Sequence, residues 1–494
     1  MFIINMNMKK GIFLLFALLP LLLHSQNVTI YEAEIALLAD SVSVRADNTA
    51  SNDKYLYIGK PSSVKWIVDN VLPGWYKLSL RYRSVDGDKA QVFDVNGKKL
   101  GVGFSRCNYW SDAFFSTYLQ KGRNEITLIA DYGNMDIDYL RIPEDTLIPL
   151  PSISPINGVF YKEYPTSMSV FVDAKGQKLK KISCSNQQID FKISNFDYVE
   201  GSYLAEISKE SILNIPIGNN ILDLEFSNGS KVQYKLQVKA SVNTSELTII
   251  MFNVEHGNSV LVLLPNGKRL LIDSGKEQYA KSVVMPFLDN NKIDTIDYYI
   301  ITHYHDDHAG AKDEIIKKYH VQQFLDYKSF KTGDTLKLGK AIITILNTFA
   351  DGENENDRSM SFLLNYNGFT YSHGSDNYAI TQDRILKNFI NILPAQVFYA
   401  NHHFHGSVNP NFIIKTNPAL VVVSAEQGVY ARGAFTNYYK EQTEKVLYAN
   451  HARLQQTLLT LESGTVVVRI NSANDWYYET YRNDKDIYLP KKTK

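Results

Sequence analysis

The sequence predicts a multidomain protein in which two β-sandwiches precede a mixed α/β domain. The chain has 494 residues, and because domains usually contain about 100 to 200 residues, this length suggests about three domains. Hydrophobic residues make up 44% of the chain and charged residues 21%, which is typical of globular proteins. Near residue 245 the pattern changes from short strands separated by turns to alternating strands and helices.

The first predicted domain covers residues 28–145 and is expected to be a β-sandwich. Alternating runs such as Lys77–Tyr82 and Glu125–Ile129 are separated by turn signals at Asp86-Gly87 and Asn96-Gly97. Many short strands with a turn every 8 to 12 residues or so are typical of two packed sheets. The first domain is therefore assigned to the all-β class.

The second predicted domain covers residues 150–240 and follows a proline-rich linker, Pro149–Pro155. Its strands are separated by turn signals at Lys175-Gly176 and Asn228-Gly229. This pattern favours a small immunoglobulin-like sandwich. It contains no set of residues to which chemistry can be assigned, so we interpret it as a spacer.

The third predicted domain covers residues 246–472 and contains both strands and helices. Asn266-Gly267 lies between two apolar runs and indicates a hairpin. The elements expected after it are strands at 298–301, 341–346, 361–366, 397–400 and 420–423, and helices at 311–319 and 438–448. Residues 473–494 are expected to form a solvated C-terminal tail.

The N-terminus and the charge balance limit where the protein acts and what it binds. Residues 1–25 contain Lys9 and Lys10, followed by an apolar run from Gly11 to Leu23, which is typical of a cleaved signal peptide. We therefore expect a secreted or periplasmic protein without a membrane span after cleavage. With 52 basic and 52 acidic residues the net charge is zero, so a nucleic-acid partner is not expected.

The segment from Ile300 to Gly310 carries the strongest chemical signal. Four potential metal ligands, His303, His305, Asp307 and His308, follow an apolar strand directly. His303 and His305 point the same way because strand side chains alternate, while Asp307 and His308 can face a second point in the turn. Imidazole and carboxylate are ligands for zinc, and a loop at a strand end leaves positions open for water and substrate.

This His-x-His-x-Asp-His pattern resembles the hallmark of the metallo-β-lactamase superfamily. The resemblance runs from about Thr248 to Ile470 and implies an αββα fold that binds one or two metal ions. Zinc is the expected cofactor, with manganese or iron as alternatives. The branch that it resembles most contains the extracellular domain of DNA-uptake channel proteins and the phosphorylcholine esterases of cell walls.

The resemblance also implies roles for residues outside this motif. Asp376 matches the aspartate that bridges two metals, and Asp273 matches an early aspartate that supports the metal loop. One histidine of the pair His402 and His403 is expected to bind the second metal and the other to contact substrate; we assign His403 as the ligand. Asp307 and His402 are the candidate catalytic residues for proton transfer.

Other residues near these motifs have open roles. His373 is interpreted as an added ligand, a supporting donor or an ordinary strand-end histidine, and His405 as a possible alternative to the His402 and His403 pair. Candidates for substrate contact or ligand support also include His256, Tyr430 and Arg432.

One position departs from the superfamily pattern. The family usually supplies a third histidine to the first metal from the strand after the His-x-His loop, and Asn347 stands at that place. The first site then has only His303, His305 and the shared Asp376. A neutral amide is a poorer zinc ligand than imidazole, so the first site is expected to bind metal less tightly than the second.

The two ends of the first domain resemble carbohydrate-binding modules of the family six type, which implies a jelly-roll sandwich. The matching segments are Ile30–Glu34 and Met135–Ile142. The resemblance implies a structural calcium held by Glu32, Glu34 and Asp138. It also implies sugar binding by Tyr109 and Trp110, with Asp136 where those modules have an asparagine; a core role for Trp110 is the alternative.

Together these features predict an exported metal-dependent hydrolase of a phosphodiester or ester in a glycan or cell-envelope substrate. Bound zinc lowers the pKa of its water to about 7, which supplies hydroxide as the nucleophile at neutral pH. The expected partners are a polysaccharide or glycoconjugate and an ester substrate. The alternatives are a secreted nuclease and a carbohydrate-binding protein whose metallo domain is catalytically weakened.

Overall fold

The computed structural model describes residues 28–39, 41–147, 150–196, 201–242, 247–348, 352, 354–405, 409–424, 431–450 and 452–489. The expected signal peptide, residues 1–25, lies outside the described residues. Within them, no helix is both long enough and apolar enough to cross a membrane.

The first domain is a sandwich of two antiparallel sheets, as its alternating sequence predicts. In the strand over 74–84, Leu78 and Leu80 are fully buried while Lys77 and Arg83 point outward. One sheet has the order β3-β4-β11-β6-β9 with β1 beside β11, and the other has the order β2-β5-β10-β7-β8. The strands are β1 Val28–Glu32, β2 Leu37–Leu38, β3 Ser43–Ala46, β4 Lys54–Ile58, β5 Ser63–Val71, β6 Gly74–Ser84, β7 Lys89–Val95, β8 Lys98–Phe104, β9 Cys107–Leu119, β10 Gly122–Tyr132 and β11 Met135–Pro143.

The second domain is a smaller two-sheet sandwich. Its sheets have the orders β12-β14-β18-β17 and β13-β20-β19-β15-β16, and only the β13–β20 pair is parallel. The elements are β12 Ser152–Ser154, β13 Asn157–Tyr161, β14 Met168–Asp173, β15 Leu179–Cys184, β16 Gln187–Ile189, β17 Phe191–Asn195, β18 Ser202–Ile207, α1 Lys209–Leu213, β19 Gly218–Phe226 and β20 Lys231–Lys239.

The third domain has two seven-stranded sheets packed face to face. Their orders are β25-β24-β23-β22-β21-β33-β34 and β26-β27-β28-β29-β30-β31-β32. Its elements are β21 Leu247–Met251, β22 Val260–Leu263, β23 Arg269–Ile272, α2 Glu277–Tyr279, α3 Met285–Asn290, β24 Thr295–Ile301, α4 Asp306–Ala309, α5 Lys312–Lys318, β25 His320–Asp326, β26 Thr335–Leu338, β27 Ala341–Asn347, α6 Glu355–Arg358, β28 Ser361–Tyr366, β29 Phe369–His373, α7 Ala379–Phe389, β30 Val397–Tyr399, α8 Pro410–Thr416, β31 Leu420–Val423, α9 Ala431–Ala449, β32 Gln456–Leu459, α10 Thr460–Ser463, β33 Thr465–Ser472 and β34 Asp475–Tyr481.

Helices cover the outer faces of both sheets of the third domain. Residues of α3 and α5, such as Phe287 and Ile315, pack on the first sheet. Residues of α7, α8 and α9, such as Ile385, Phe412 and Leu447, pack on the second sheet. The resulting order of layers is helix, sheet, sheet, helix, in agreement with the layers that the sequence resemblance implies.

The end of the third domain differs from the sequence prediction. Residues 475–481, which we assigned to a solvated tail, form β34 and pair antiparallel with β33. Tyr478 is buried in the central core with the side chains of both sheets. Burying one face of this strand is favourable because its aromatic residues remove apolar area from water. The domain therefore extends beyond the predicted boundary at residue 472.

Both sandwiches contact the third domain through polar pairs. From the first domain, Ser105 and Asp88 hydrogen bond with Tyr438 and Tyr439 of α9. From the second domain, the Tyr161 hydroxyl lies 2.9 Å from the Tyr477 hydroxyl. Helix α9 is thus the main element that links the first sandwich to the third domain.

Candidate metal centre

The candidate metal ligands lie where strands of both sheets end. His303 and His305 follow β24 of the first sheet, and Asp376 and His403 follow β29 and β30 of the second sheet. These strands are parallel to their neighbours β23, β30 and β31. Loops at strand ends place polar groups at one edge of a rigid scaffold, which is a common location for functional sites.

The structure brings the predicted ligands together in two groups that share one carboxylate. In each group the ligand atoms lie within 4.8 Å of one another. One group is formed by Asp307, His308, Asp376 and His403, and the other by His303, His305 and Asp376. This is the division that the sequence implied, with four donors at the second site and three at the first.

Asp273 holds His308 in the orientation that a metal ligand needs. Its carboxylate accepts hydrogen bonds from Nδ1 of His308 at 2.8 Å and from the Thr302 amide and hydroxyl at 2.8 Å. Because Asp273 holds Nδ1 of His308, Nε2 faces Asp376 at 3.1 Å from Oδ1, where it can bind a metal ion once it has lost its proton. Asp273 thus supports the ligand from behind, as the resemblance implied.

His403 is oriented in the same way by a serine. Its Nδ1 lies 2.7 Å from the Ser424 hydroxyl, which in turn donates to Oδ1 of Asn258 at 3.0 Å. Since the hydroxyl donates to Asn258, it accepts from His403, and Nε2 of His403 is left with its lone pair. Ser424 was not identified from the sequence, although its position directly after β31 is a signal that could have found it.

The loop that carries Asp307 is held by the turn after β21. The backbone amide of Asn258 donates a hydrogen bond to the Asp307 carbonyl at 3.0 Å. Gly257 has a φ of +153°, and a Cβ atom at this position would lie 2.5 Å from the same carbonyl oxygen. Only glycine allows this close approach. The Gly257-Asn258 turn therefore fixes the position of the Asp307 backbone at the site.

The electrostatics of the site show an excess of negative charge. Although burial acts in the opposite direction, His308 and His403 hold the pKa of Asp376 well below its ordinary value. Burial also opposes a charge on His308, yet the carboxylates of Asp376 and Asp273 raise the pKa of His308 well above its usual range. Burial lowers the pKa of His303 well below its ordinary value, so His303 is neutral. The carboxylates therefore attract a cation.

The residues present fit a divalent metal ion. Nε2 of His308, Nε2 of His403 and Oδ1 of Asp376 are buried and have no hydrogen-bond partner among the described residues. Leaving such atoms unpaired costs about 1 to 3 kcal/mol each. A cation with a preference for imidazole and carboxylate would satisfy all three. Within the described chain, the two groups of convergent ligands are both in the third domain.

Asn347 and His373 do not complete the first group. The side-chain nitrogen of Asn347 donates to the carbonyls of Asp357 at 3.0 Å and Ser359 at 2.8 Å, so it clamps a loop. His373 is buried, stacks on Phe362 with ring centroids 4.9 Å apart, and is not part of either group. Burial lowers the pKa of His373 to about 3. This placement agrees with the interpretation of His373 as an ordinary histidine at the end of a strand.

Three further histidines surround the two groups. Nε2 of His402 lies 3.9 Å from Asp376 and 3.4 Å from the Asn356 amide. Nε2 of His256 lies 3.5 Å from Asp307, and the His405 ring is 5.4 Å from that of His402. These candidates for substrate contact, His256, His402 and His405, are all partly accessible.

Another side chain in this region, that of Tyr378, was missed as a functional residue. Tyr378 packs edge-on against His402 with ring centroids 5.0 Å apart, and its hydroxyl accepts from Asn356 at 2.9 Å. No motif marked Tyr378, which precedes α7. Of the residues predicted to contact substrate, Tyr430 and the side chain of Arg432 lie outside the described part of the chain.

The predicted calcium ligands of the first domain lie around Ser51 and its neighbour Asn52. The Ser51 amide donates to Asp138 at 3.1 Å, and its hydroxyl donates to Glu32 at 2.6 Å. Glu34 accepts from Asn52 at 3.4 Å. Nη1 of Arg81 lies 2.7 Å from Asp138 and provides a positive charge there. Calcium at this position stays a prediction.

The predicted sugar-binding residues lie at one end of the first sandwich. Tyr109 is 68% exposed, which suits a ligand contact. Trp110 donates to Thr49 at 3.0 Å, and the Arg83 guanidinium lies 4.6 Å from the centre of its ring. Asp136 is paired with the same Arg83 at 2.9 Å. Trp110 is therefore held in place by its neighbours, and Tyr109 is the more accessible ring.

Comparisons with known proteins agree with this geometry. Residues 253–382 match the model of the family described as metallo-beta-lactamase superfamily. ComE operon protein 3 of Bacillus subtilis (strain 168) is 24% identical over 267 residues, which cover 46% of this chain and 33% of that protein. The chain thus spans about a third of the length of this curated relative.

Among solved structures, similarity was found to proteins that contain carbohydrate-binding modules. The GH26-CBM35 β-(1,4)-mannanase of Podospora anserina is 22% identical over 25% of this chain and 29% of that chain, with a TM-score of 0.23. A family 35 carbohydrate binding module from Clostridium thermocellum is 21% identical over 23% of this chain and 98% of that chain, with a TM-score of 0.22. The resemblance to family six is not confirmed. The match over residues 253–382 includes Asp273 and every predicted ligand except His403, so this part of the chain is similar to a metallo-β-lactamase domain.

Proposed function

We propose that this protein is an exported, metal-dependent hydrolase that cleaves a phosphodiester or ester bond in a glycan or cell-envelope substrate. The observation that carries the proposal is the pair of donor groups that share Asp376. Two adjacent metal sites suit substrates with an anionic or polar oxygen at the bond that is cleaved. The basic region and apolar run at the N-terminus support export.

When bound, zinc or a similar ion lowers the pKa of a coordinated water and polarises the bond that is to be cleaved. The chain would hold one ion with Asp307, His308, Asp376 and His403. It would hold the other with His303, His305 and the same Asp376. Asp273 and Ser424 keep His308 and His403 in the required tautomers.

Proton transfer is assigned to His402. The sequence suggested both Asp307 and His402 for this role, but Asp307 lies inside a donor group. His402 stands beside the groups, where Asn356 and Tyr378 fix its position. A histidine in this place can accept a proton from the attacking water or give one to the leaving group.

The first domain favours a glycan as the molecule that contains the cleaved bond. Its sequence resembles carbohydrate-binding modules, and it presents the exposed ring of Tyr109. A nuclease is disfavoured because 52 basic residues are balanced by 52 acidic residues, which leaves no net positive charge to bind a phosphate backbone.

The test combines metal analysis with a panel of chromogenic phosphodiester, phosphomonoester, acyl ester and lactam substrates, together with single-stranded DNA. Wild-type protein is expected to contain zinc or a related ion, to hydrolyse a phosphodiester or ester and to lose this activity with a chelator. His308→Ala should lower the rate by several orders of magnitude, since the nucleophile depends on the metal.

His320→Ala is the matched control, because His320 is exposed at the start of β25. Its activity should equal that of the wild type. Full turnover in His308→Ala would refute the hydrolase assignment. Cleavage of DNA alone would replace the glycan-linked substrate with a nuclease activity.

A further inference from the structure

A cavity of about 760 Å³ lies where all three domains meet, apart from the metal centre. The first domain contributes residues of β8 and β9, the second contributes residues of β12 and β14, and the third contributes α9 and the start of β32. A volume of this size falls in the range of small-molecule sites, which is about 300 to 1,000 Å³.

The charges of the cavity are almost balanced. Its acidic side chains are Asp173, Glu441, Glu444 and Glu462, and its basic side chains are Lys77, Lys175 and Lys440. Several of these neutralise each other, since Lys175 lies 2.6 Å from Asp173 and Lys440 lies 3.1 Å from Glu444. A site with internally paired charges favours a neutral polar ligand over a metal ion or a polyanion.

A buried hydroxyl in the cavity wall is available for a ligand. Thr457 lines the cavity, is only 3% exposed, and its Oγ1 has no hydrogen-bond partner in the described part of the chain. An unpaired buried hydroxyl costs free energy that a ligand hydroxyl would recover. Gln455 and Gln456 lie beside Thr457 in the wall. Oε1 of Gln456 already accepts hydrogen bonds from the Ile156 backbone amide at 3.0 Å and the Tyr478 hydroxyl at 3.1 Å, so Gln455 offers the exposed amide group.

Two exposed aromatic rings line the same cavity. Phe114 of β9 is 57% exposed and Tyr448 of α9 is 58% exposed, and Nζ of Lys77 lies 4.9 Å from the centre of the Phe114 ring. The two rings come from different domains. Aromatic faces pack against the C–H faces of sugar rings, while carboxylates and amides bind the sugar hydroxyls.

We propose that this cavity is a binding site for a neutral oligosaccharide, formed jointly by the three domains. Phe114 and Tyr448 supply the stacking faces, and Thr457 with the neighbouring Gln455 amide binds hydroxyl groups. This site is separate from Tyr109 and Trp110 at the other end of the first sandwich, and it does not depend on the hydrolase assignment.

The cavity is connected to the metal centre by a single helix. Tyr448 and Glu444 of α9 line the cavity, while the Thr436 hydroxyl of the same helix donates to the His403 carbonyl at 3.0 Å. A sugar chain in the cavity would therefore rest on the element that also supports a metal ligand. This arrangement suits a substrate in which the sugar chain and the cleaved group belong to one molecule.

The experiment measures binding of the full chain to an array of neutral oligosaccharides of three to six sugar units or so, followed by calorimetry with the strongest binder. A chelator is present throughout, so that turnover does not contribute to the signal. Phe114→Ala and Tyr448→Ala should each weaken binding about 10-fold, because each removes one stacking face. Both side chains are exposed, so their removal leaves the cores intact.

Tyr118→Ala is the matched control, since Tyr118 is also on β9 and 44% exposed but does not line the cavity. Its affinity should equal that of the wild type. Trp110→Ala separates this cavity from the predicted sugar site in the first domain. The proposal would be overturned if binding were lost only in Trp110→Ala, or if Phe114→Ala and Tyr448→Ala left binding unchanged. It would also be overturned if the wild-type protein bound none of the oligosaccharides on the array. Because hydrolysis is not measured, failure of the hydrolase assignment would not produce any of these results.

Discussion

Asn347 shows how one side chain makes the two donor groups unequal. In place of a third imidazole at the first site, its amide donates to two backbone carbonyls and is 4% exposed. The first group therefore has three donors, of which His305 is exposed, whereas the second has four donors that are mostly buried. A site with fewer and more mobile ligands binds metal more weakly.

Titration of metal-free protein with zinc is expected to give two resolved affinities. His305→Ala should remove the weaker binding step and leave the tighter one, because His305 belongs only to the three-donor group. His403→Ala should weaken the tighter step, typically by about 10- to 100-fold or more for the loss of a supported ligand. Calorimetry measures both. Equal affinities in the wild type, or loss of both steps in His305→Ala, would contradict the asymmetry.

At the residue scale, the sequence predicted the ligands but not the residues that orient them. His303, His305, Asp307 and His308 are contiguous, and strand periodicity with a following turn places them together. Ser424 and Asn258 pair across 166 positions of the chain, so their contact depends on how the two sheets pack. Asp273 was predicted only through the family resemblance.

Helix α9 is the element on which the domain arrangement depends. It contacts β8 of the first sandwich, and the packing there is tight. A Cβ atom on Gly103 would lie 2.9 Å from Cβ of Tyr438. The backbone of Gly103 is not in the left-handed region, so this contact alone decides which side chains fit.

Gly103→Val is expected to push β8 away from α9. Overpacking of this kind usually costs about 1 to 3 kcal/mol, and hydrolysis should fall as well because Thr436 of α9 holds the His403 carbonyl. Thermal unfolding and turnover measure the two effects. Lys99→Val, at the exposed start of the same strand, should change neither. A Gly103→Val protein with wild-type stability would show that the contact is not tight.

At the element scale, helices and strands with a strong hydrophobic periodicity were predicted, whereas a strand of mixed polar and aromatic composition was missed. The helix expected at 438–448 is part of α9, Ala431–Ala449, and the strand expected at 298–301 is part of β24, Thr295–Ile301. Strand β34 was missed because Asp475, Glu479 and other polar residues interrupt its aromatic pattern. Its buried Glu479 is paired with Arg469 of the neighbouring strand β33 at 2.8 Å, a contact that depends on the register of the two strands.

At the scale of the whole molecule, the three domains have separate cores. The first and second sandwiches each form one cluster of buried residues that stays almost entirely within the domain, while the third domain forms its own clusters between and outside its sheets. Length and the change of pattern near residue 245 predicted this division. The way in which the domains meet, including the cavity, was not predictable because it depends on exposed faces such as those of Phe114 and Tyr448.

Separate cores lead to a prediction about metal and stability. Both donor groups lie in the third domain, so zinc at about 100 times its dissociation constant is expected to stabilise that folded domain by about 2.7 kcal/mol. For a domain of this size, we expect a zinc-selective chelator to lower one unfolding transition by about 5 to 10 °C. Scanning calorimetry with and without the chelator measures this shift. In His308→Ala the chelator should have a smaller effect, because the four-donor group loses His308 while the group of His303, His305 and Asp376 is unchanged. A shift of equal size in His308→Ala would show that the metal binds elsewhere, and no shift in the wild type would show that the two donor groups do not retain zinc.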